Sequence, residues 1–188
     1  FYQRAEVKDM LAYLRLSVNC NDEESLRRII NVPKRSIGET TVNKLVEVAR
    51  ANGETLWSVI ESLELRNDVQ LSSATVNKVL SFRNMIQSFS QMACDSSAKD
   101  VVPFIYEKSG LKTALAGDDS PEGVSRKENI IEFLNSVEQF ADSAYREGEP
   151  DKLTNFIASI QLLTDQDEDM GDERNFVTMM TVHSAKGL

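Results

Sequence analysis

Apolar residues return every three or four positions along most of this chain, the spacing that lays one face of an α-helix against a core. Val7, Met10, Leu11, Leu14 and Val18 form the first such stripe. Asn21, with Glu24 three residues on, reads as a capping box opening a short helix through Ile30. Val42, Leu45, Val46 and Ala49 form another stripe, ended by Asn52 and Gly53. The longest stripe is Val79, Phe82, Ile86, Phe89 and Ala93, on a helix opened by Ser72 or Ser73. Val101, Val102, Ile105 and Tyr106 continue the pattern. With Asp100 as cap, Pro103 falls in a first turn, where a missing N–H is tolerated. Residues 116–123 read as a loop on their Gly, Asp, Ser and Pro content. Ile130, Leu134, Val137 and Ala141 mark the next helix, and Leu153, Phe156, Ile157, Ile160 and Leu163 the last. One segment, 176–181, reads as a short buried strand. The predicted body, residues 1–175, is therefore all-α. Its two ends, 1–5 and 176–188, read as edges of a different, sheet-containing domain.

At 188 residues and 41% apolar, the chain can bury a core of domain size. No apolar run is long enough to span a membrane. Trp57, Phe82, Phe89, Phe104, Phe133, Phe140 and Phe156 sit at helical spacing among other apolar residues and are expected in the core rather than as base-stacking platforms. Cys20 and Cys94 are far apart and His183 is the only histidine, so a zinc site is not expected, and a reducing, cytoplasmic setting is the default. The net charge of −9 argues against a protein that coats nucleic acid. The charge is uneven. Residues 1–50 hold nine Lys and Arg against seven Asp and Glu, and residues 51–188 hold twelve against twenty-three. Any DNA contact is therefore expected in the N-terminal quarter, near Arg27, Arg28, Lys34 and Arg35, or at Lys186. The acidic run 165–173 reads as a solvated loop.

Three places carry candidate chemistry. Pro33 sets a turn in which Lys34, Arg35, Ser36, Ile37 and Gly38 precede Thr40, Thr41 and a new helix. A tight turn between helices exposes backbone N–H groups, and the following helix adds its positive end. Together these can hold a phosphate without reading bases. At the other end, the strand delivers Thr181, His183, Ser184 and Lys186 into a polar turn with Gly187, which can present groups to a phosphate at a sheet edge. Arg4, Glu6, Lys8 and Asp9 alternate in sign at a helix start, as a salt-bridged surface does. No catalytic constellation is found. There is no glycine-rich phosphate loop, no acidic pair after an apolar strand, and no Ser/His/Asp or Cys/His set.

Four stretches, in order, resemble the UvrD/PcrA/Rep-type superfamily-one DNA helicases: residues 1–16; 28–38, Arg-Ile-Ile-Asn-Val-Pro-Lys-Arg-Ser-Ile-Gly; 126–134, Arg-Lys-Glu-Asn-Ile-Ile-Glu-Phe-Leu; and 177–188, which resembles that family's motif V. Residues 53–120 match only in helical character. The resemblance implies an inserted helical 2B domain with a helix–hairpin–helix-like turn, leaving and rejoining the RecA-like domain 2A. Residues 176–188 would then be a return strand and truncated motif V, continuing into Glu-Phe in a longer protein. The same resemblance implies a parent that uses ATP and Mg to unwind DNA, with neither bound by this segment. Lys34, Arg35, Ser36, Gly38, Thr40 and Thr41 would grip duplex backbone. Thr181, His183, Ser184 and Lys186 would meet the single strand. Arg4, Glu6 and Lys8 would lie at the hinge on which the domain swivels against 1A and 2A. Ser36 stands where the family has its first glycine, and serine resists a positive φ more than glycine does.

Two other readings stay open: a helical module that docks a partner protein, and the equivalent insert of a helicase–nuclease recombination subunit. An inserted domain should bring residues 1 and 176 within roughly 15 Å of each other.

Overall fold

The computed structural model of the chain describes residues 1–169. The expected return strand at 176–181, motif V, the last part of the acidic run and the spacing of residues 1 and 176 lie outside those residues. Within them the chain is helical, with no strand.

α1 (Ala5–Val18) is the axis of the fold. Val7, Met10, Leu11, Ala12, Tyr13, Leu14, Leu16 and Ser17 are all buried, on more than one face, so the helix needs neighbours around it. Those neighbours are α2 (Glu23–Ile29), α5 (Ser73–Asp95), α6 (Ala98–Lys108), α8 (Pro121–Glu147) and α9 (Leu153–Asp169). α3 (Glu39–Asn52) and α4 (Leu56–Glu61) pack on each other, and α4, followed by a 3-10 turn at Leu63–Leu65, rests on α5. α7 (Leu111–Ala116) bridges α6 and α8.

The apolar stripes read from the sequence lie inward. Val79, Phe82, Ile86 and Phe89 of α5 are buried, as are Ile130, Val137 and Ala141 of α8. Of the aromatic residues expected in the core, Trp57, Phe82, Phe89, Phe133 and Phe156 are buried, and Phe104 and Phe140 are half-buried against it. Tyr13, Phe89 and Phe104 meet edge to face in series, with centroids 6.3 and 6.0 Å apart. Val18 and Leu163 differ, being exposed.

Side-chain caps open α2, α4, α5 and α8, and several starts differ from expectation. Ser72 caps α5, accepting from the Thr75 N–H at 3.2 Å. The cap of α2 is Asp22 rather than Asn21: its carboxylate takes the Ser25 N–H at 3.1 Å and the Ser25 hydroxyl at 2.6 Å. Asn21 accepts instead from the hydroxyl of Thr55, the cap of α4, at 2.9 Å. α6 begins at Ala98 behind Ser97, so Pro103 lies inside the helix rather than in a first turn behind Asp100. Burial of Ala98, Val101, Val102 and Ile105 on the same helix holds it there despite the lost backbone bond. α8 starts at Pro121, inside the expected loop. Ser120 caps it and Pro121 takes the first helical position, which suits a residue without N–H. α9 continues to Asp169, so the acidic run begins as helix rather than loop.

The packing predicts a specific cost. Phe89→Ala should lower stability by about 3–5 kcal/mol, because it empties a fully buried ring site between α1 and α6. Urea denaturation checks this. A loss within experimental error of zero would mean that the two flanking aromatic residues close the gap.

Candidate nucleic-acid interface

The α2–α3 turn is built around Asn31. Its side-chain oxygen accepts the N–H groups of Arg35 at 2.8 Å and Ile37 at 3.2 Å, closing the loop on itself. Ile37 is buried and anchors the turn, while Lys34, Ser36, Gly38, Glu39 and Thr40 face solvent. The Val32–Pro33 peptide is cis.

Ser36 answers the question its identity raised. Its φ is 58°, and among non-glycine residues described it alone has a positive φ. The backbone here takes the left-handed conformation, which glycine adopts without steric cost and serine does not. Gly38 is the reverse. Its φ of −77° and ψ of 167° are extended values open to any residue, and a Cβ there would meet nothing within 4 Å. The turn's shape therefore does not require glycine at 38. What glycine leaves is a bare approach to the start of α3.

That start is open. Gly38 caps α3 with no side-chain hydrogen bond. The Gly38 carbonyl takes the N–H groups of Thr41 at 3.0 Å and Val42 at 3.2 Å. No acceptor among the described residues takes the N–H groups of Ser36, Gly38, Glu39 or Thr40. A row of unused donors at the positive end of a 14-residue helix is a place for an anion. Glu39 adds a negative charge beside it.

The basic residues divide sharply. Lys34 is exposed and has no carboxylate partner among the described residues. Arg27 lies 3.6 Å from Glu23, and Arg28 donates to Asp9 at 2.7 Å and to the Ala5 carbonyl at 3.2 Å. Burial raises the Asp9 carboxyl above its ordinary range, with Arg28 pulling the other way. Arg35, expected to point at phosphate, is turned inward. Its guanidinium donates to the carbonyls of Ile29, Val32, Pro33 and Ser109 and to the Tyr13 hydroxyl, and lies over the rings of Tyr13 and Phe82. Helical periodicity could not show this, because the partners come from α1, α5 and the end of α6.

Arg4 and Glu6, read as hinge residues, are joined through Asn129 of α8. The Arg4 guanidinium donates to the Asn129 side-chain oxygen, and the Asn129 amide donates to Glu6. Asn129 is buried at 8% exposure. Two separate sequence matches, residues 1–16 and 126–134, thus meet at one contact. Lys8 makes no such contact among the described residues. Thr41 is half-buried at the start of α3. Thr181, His183, Ser184 and Lys186 lie outside the described residues.

The whole chain, residues 1–188, matches the family described as UvrD-like helicase C-terminal domain. It is 37% identical over 188 residues to the ATP-dependent DNA helicase PcrA of Staphylococcus epidermidis, covering all of this chain and 25% of that protein. It is 36% identical over the same length to PcrA of Staphylococcus aureus, with the same coverage. The chain belongs to the UvrD-like helicase C-terminal domain family. It spans about a quarter of the length of the curated relatives it matches.

Two expected outcomes follow from the turn. Ser36→Gly should stabilise the protein by about 1 kcal/mol, because it removes the steric cost of a left-handed backbone, and thermal melting reads the gain. An unchanged or lower melting temperature would show that the serine is not strained there. The second concerns the Tyr13 phenol, pushed up from 10.0 to about 12, first by burial and against the pull of Arg35. Because the folded form holds its proton longer, this contribution to stability is complete below pH 10 and is lost between pH 10 and about 12. Tyr13→Phe should lack that alkaline loss. Tyrosinate absorbance and denaturation from pH 9 upward should show the last phenol to ionise disappearing in the variant.

Proposed function

We propose that this chain is the 2B-type inserted domain, with short edges of domain 2A, of an ATP-dependent DNA helicase that unwinds duplex DNA in the cytoplasm. The observation that carries the reading is the open row of N–H groups around Ser36, Gly38, Glu39 and Thr40, with Lys34 beside it. Such a surface suits a phosphodiester, which backbone N–H groups and a lysine can hold without reading sequence. The domain would hold the duplex ahead of the fork by its backbone. The Arg4–Asn129–Glu6 contact would fasten the N-terminal edge to α8, so that the helical body moves as one piece when it swivels against 1A and 2A. Thr181, His183, Ser184 and Lys186 would contribute to single-strand contacts within 2A.

ATP and Mg belong, on this reading, to the parent's motor domains. The described residues do not fit that pair. No three His, Cys, Asp or Glu side chains among them come together to hold a cation, and the sequence has no glycine-rich phosphate loop. No step of ATP hydrolysis is assigned to this chain. No helix among the described residues is long and apolar enough to cross a membrane.

Binding through phosphates is sequence-blind and steeply salt-dependent. In the intact parent helicase, Lys34→Ala should lower the slope of log affinity for duplex against log salt by about 0.9, the value for one lost phosphate contact. Gly38→Val should weaken binding with the slope unchanged, since a side chain would stand in the phosphate's approach while the charge stays. If both variants keep wild-type duplex affinity and unwinding, the turn is not the duplex contact, and the protein-docking reading gains.

A further inference from the structure

We propose that Arg35 is a positioning residue for duplex binding, fastening the phosphate-facing turn to three helices without itself touching DNA. The proposal rests on the reading of the turn as the duplex contact and deepens it. Arginine carries five N–H donors in a rigid plane, and this one directs both terminal nitrogens onto protein oxygen atoms. One terminal nitrogen, Nη1, reaches the carbonyls of Ile29 at 3.0 Å, Val32 at 3.0 Å and Pro33 at 3.2 Å. These carbonyls belong to the last turn of α2 and the first residues of the loop. The other, Nη2, reaches the Tyr13 hydroxyl on α1 and the Ser109 carbonyl, 2.7 Å away, at the end of α6. The guanidinium carbon lies 5.7 Å from the centre of the Tyr13 ring and 5.6 Å from that of Phe82 on α5. The Tyr13 hydroxyl in turn donates to the Val32 carbonyl, so the loop is held twice from α1.

This geometry accounts for both the direction of the side chain and the choice of arginine. The Arg35 N–H is already taken by Asn31, so the residue is fixed at its backbone and at its far end. Ser36, with its left-handed φ, follows immediately, and the open N–H groups begin there. A shift at residue 35 is passed directly to those donors. Both terminal nitrogens of this guanidinium are already engaged by protein oxygen atoms. Lysine carries the same charge but has a compact ammonium with three donors. It cannot span α1, the loop and α6 together, and it cannot stack on the two rings.

Arg35→Lys therefore separates the two roles, because it keeps the charge and loses the fork. The experiment uses the intact parent helicase and a fluorescent duplex with a single-stranded tail. Arg35→Lys and Arg35→Ala should weaken binding alike, by about tenfold, the loss of one good charged hydrogen-bond set. Hydrogen exchange of the free protein should speed up in peptides covering residues 34–40 and stay unchanged in those covering α1 and α5. Tyr13→Phe keeps both rings and removes one acceptor of Arg35 and one donor to Val32, leaving the four carbonyl contacts of Arg35, so it should give a smaller change of the same kind. Wild-type affinity in Arg35→Lys, with a loss confined to Arg35→Ala, would make Arg35 a charge contact and overturn the proposal. Faster exchange throughout α1 and α5 would make it a general support of the fold and overturn it equally. Lys34→Ala and Gly38→Val tell the two levels apart. If they too leave affinity intact, the reading of the turn fails. If they weaken it while Arg35→Lys does not, only the positioning role fails.

Discussion

α1 cannot be solvated. Its fourteen residues include Val7, Met10, Leu11, Tyr13, Leu14 and Leu16, all fully or nearly fully buried and spread around the helix. A helix of that kind is stable only inside a shell, and α2, α5, α6, α8 and α9 form it. Everything that positions the candidate interface follows from this. The α2–α3 turn leaves α2, which packs on α1, and its chief anchor, Arg35, is received by a tyrosine of α1. The burial that stabilises the body thus also creates a polar pocket, lined by carbonyls and ring faces, in which one arginine is held.

The division of labour among neighbouring cations follows from that pocket. Lys34 and Arg35 are adjacent and carry the same charge, yet one faces water and the other is bound to five oxygen atoms. A half-buried guanidinium without a carboxylate partner is tolerated because carbonyl dipoles and ring faces surround it. Its charge stays within the turn, while Lys34 is the cation that faces solvent there.

The small residues of the turn have different reasons to be there. Ser36 carries the backbone strain and Gly38 does not. Had Gly38 taken the left-handed conformation, its role would have been conformational. With ordinary angles and open space around it, its role is to be small next to unused N–H groups. Asn31 supplies the remaining order by accepting two N–H groups from within the loop.

Much of the helical body was legible in the chain, because burial of one face imposes a period that needs no knowledge of partners. The stripes on α3, α5 and α8 lie where the spacing placed them, and Gly53, with φ at 65°, ends α3 as its position suggested. Boundaries decided by competing caps were less legible. Asp22 displaces Asn21, and Ser120 with Pro121 starts α8 inside a stretch rich in loop formers, since a cap is chosen by which donor a side chain reaches. The turn at 31–41 was also visible, through Pro33, Gly38 and its basic residues. What only the tertiary structure decided is which way each side chain of that turn points. Arg35 is drawn inward by Tyr13, Phe82 and Ser109, residues 22 or more positions away in the chain, and Asn129 joins Arg4 to Glu6 across more than a hundred. Local sequence fixes the period and the turn, but the direction of a long polar side chain is set by acceptors that come together only when the helices pack.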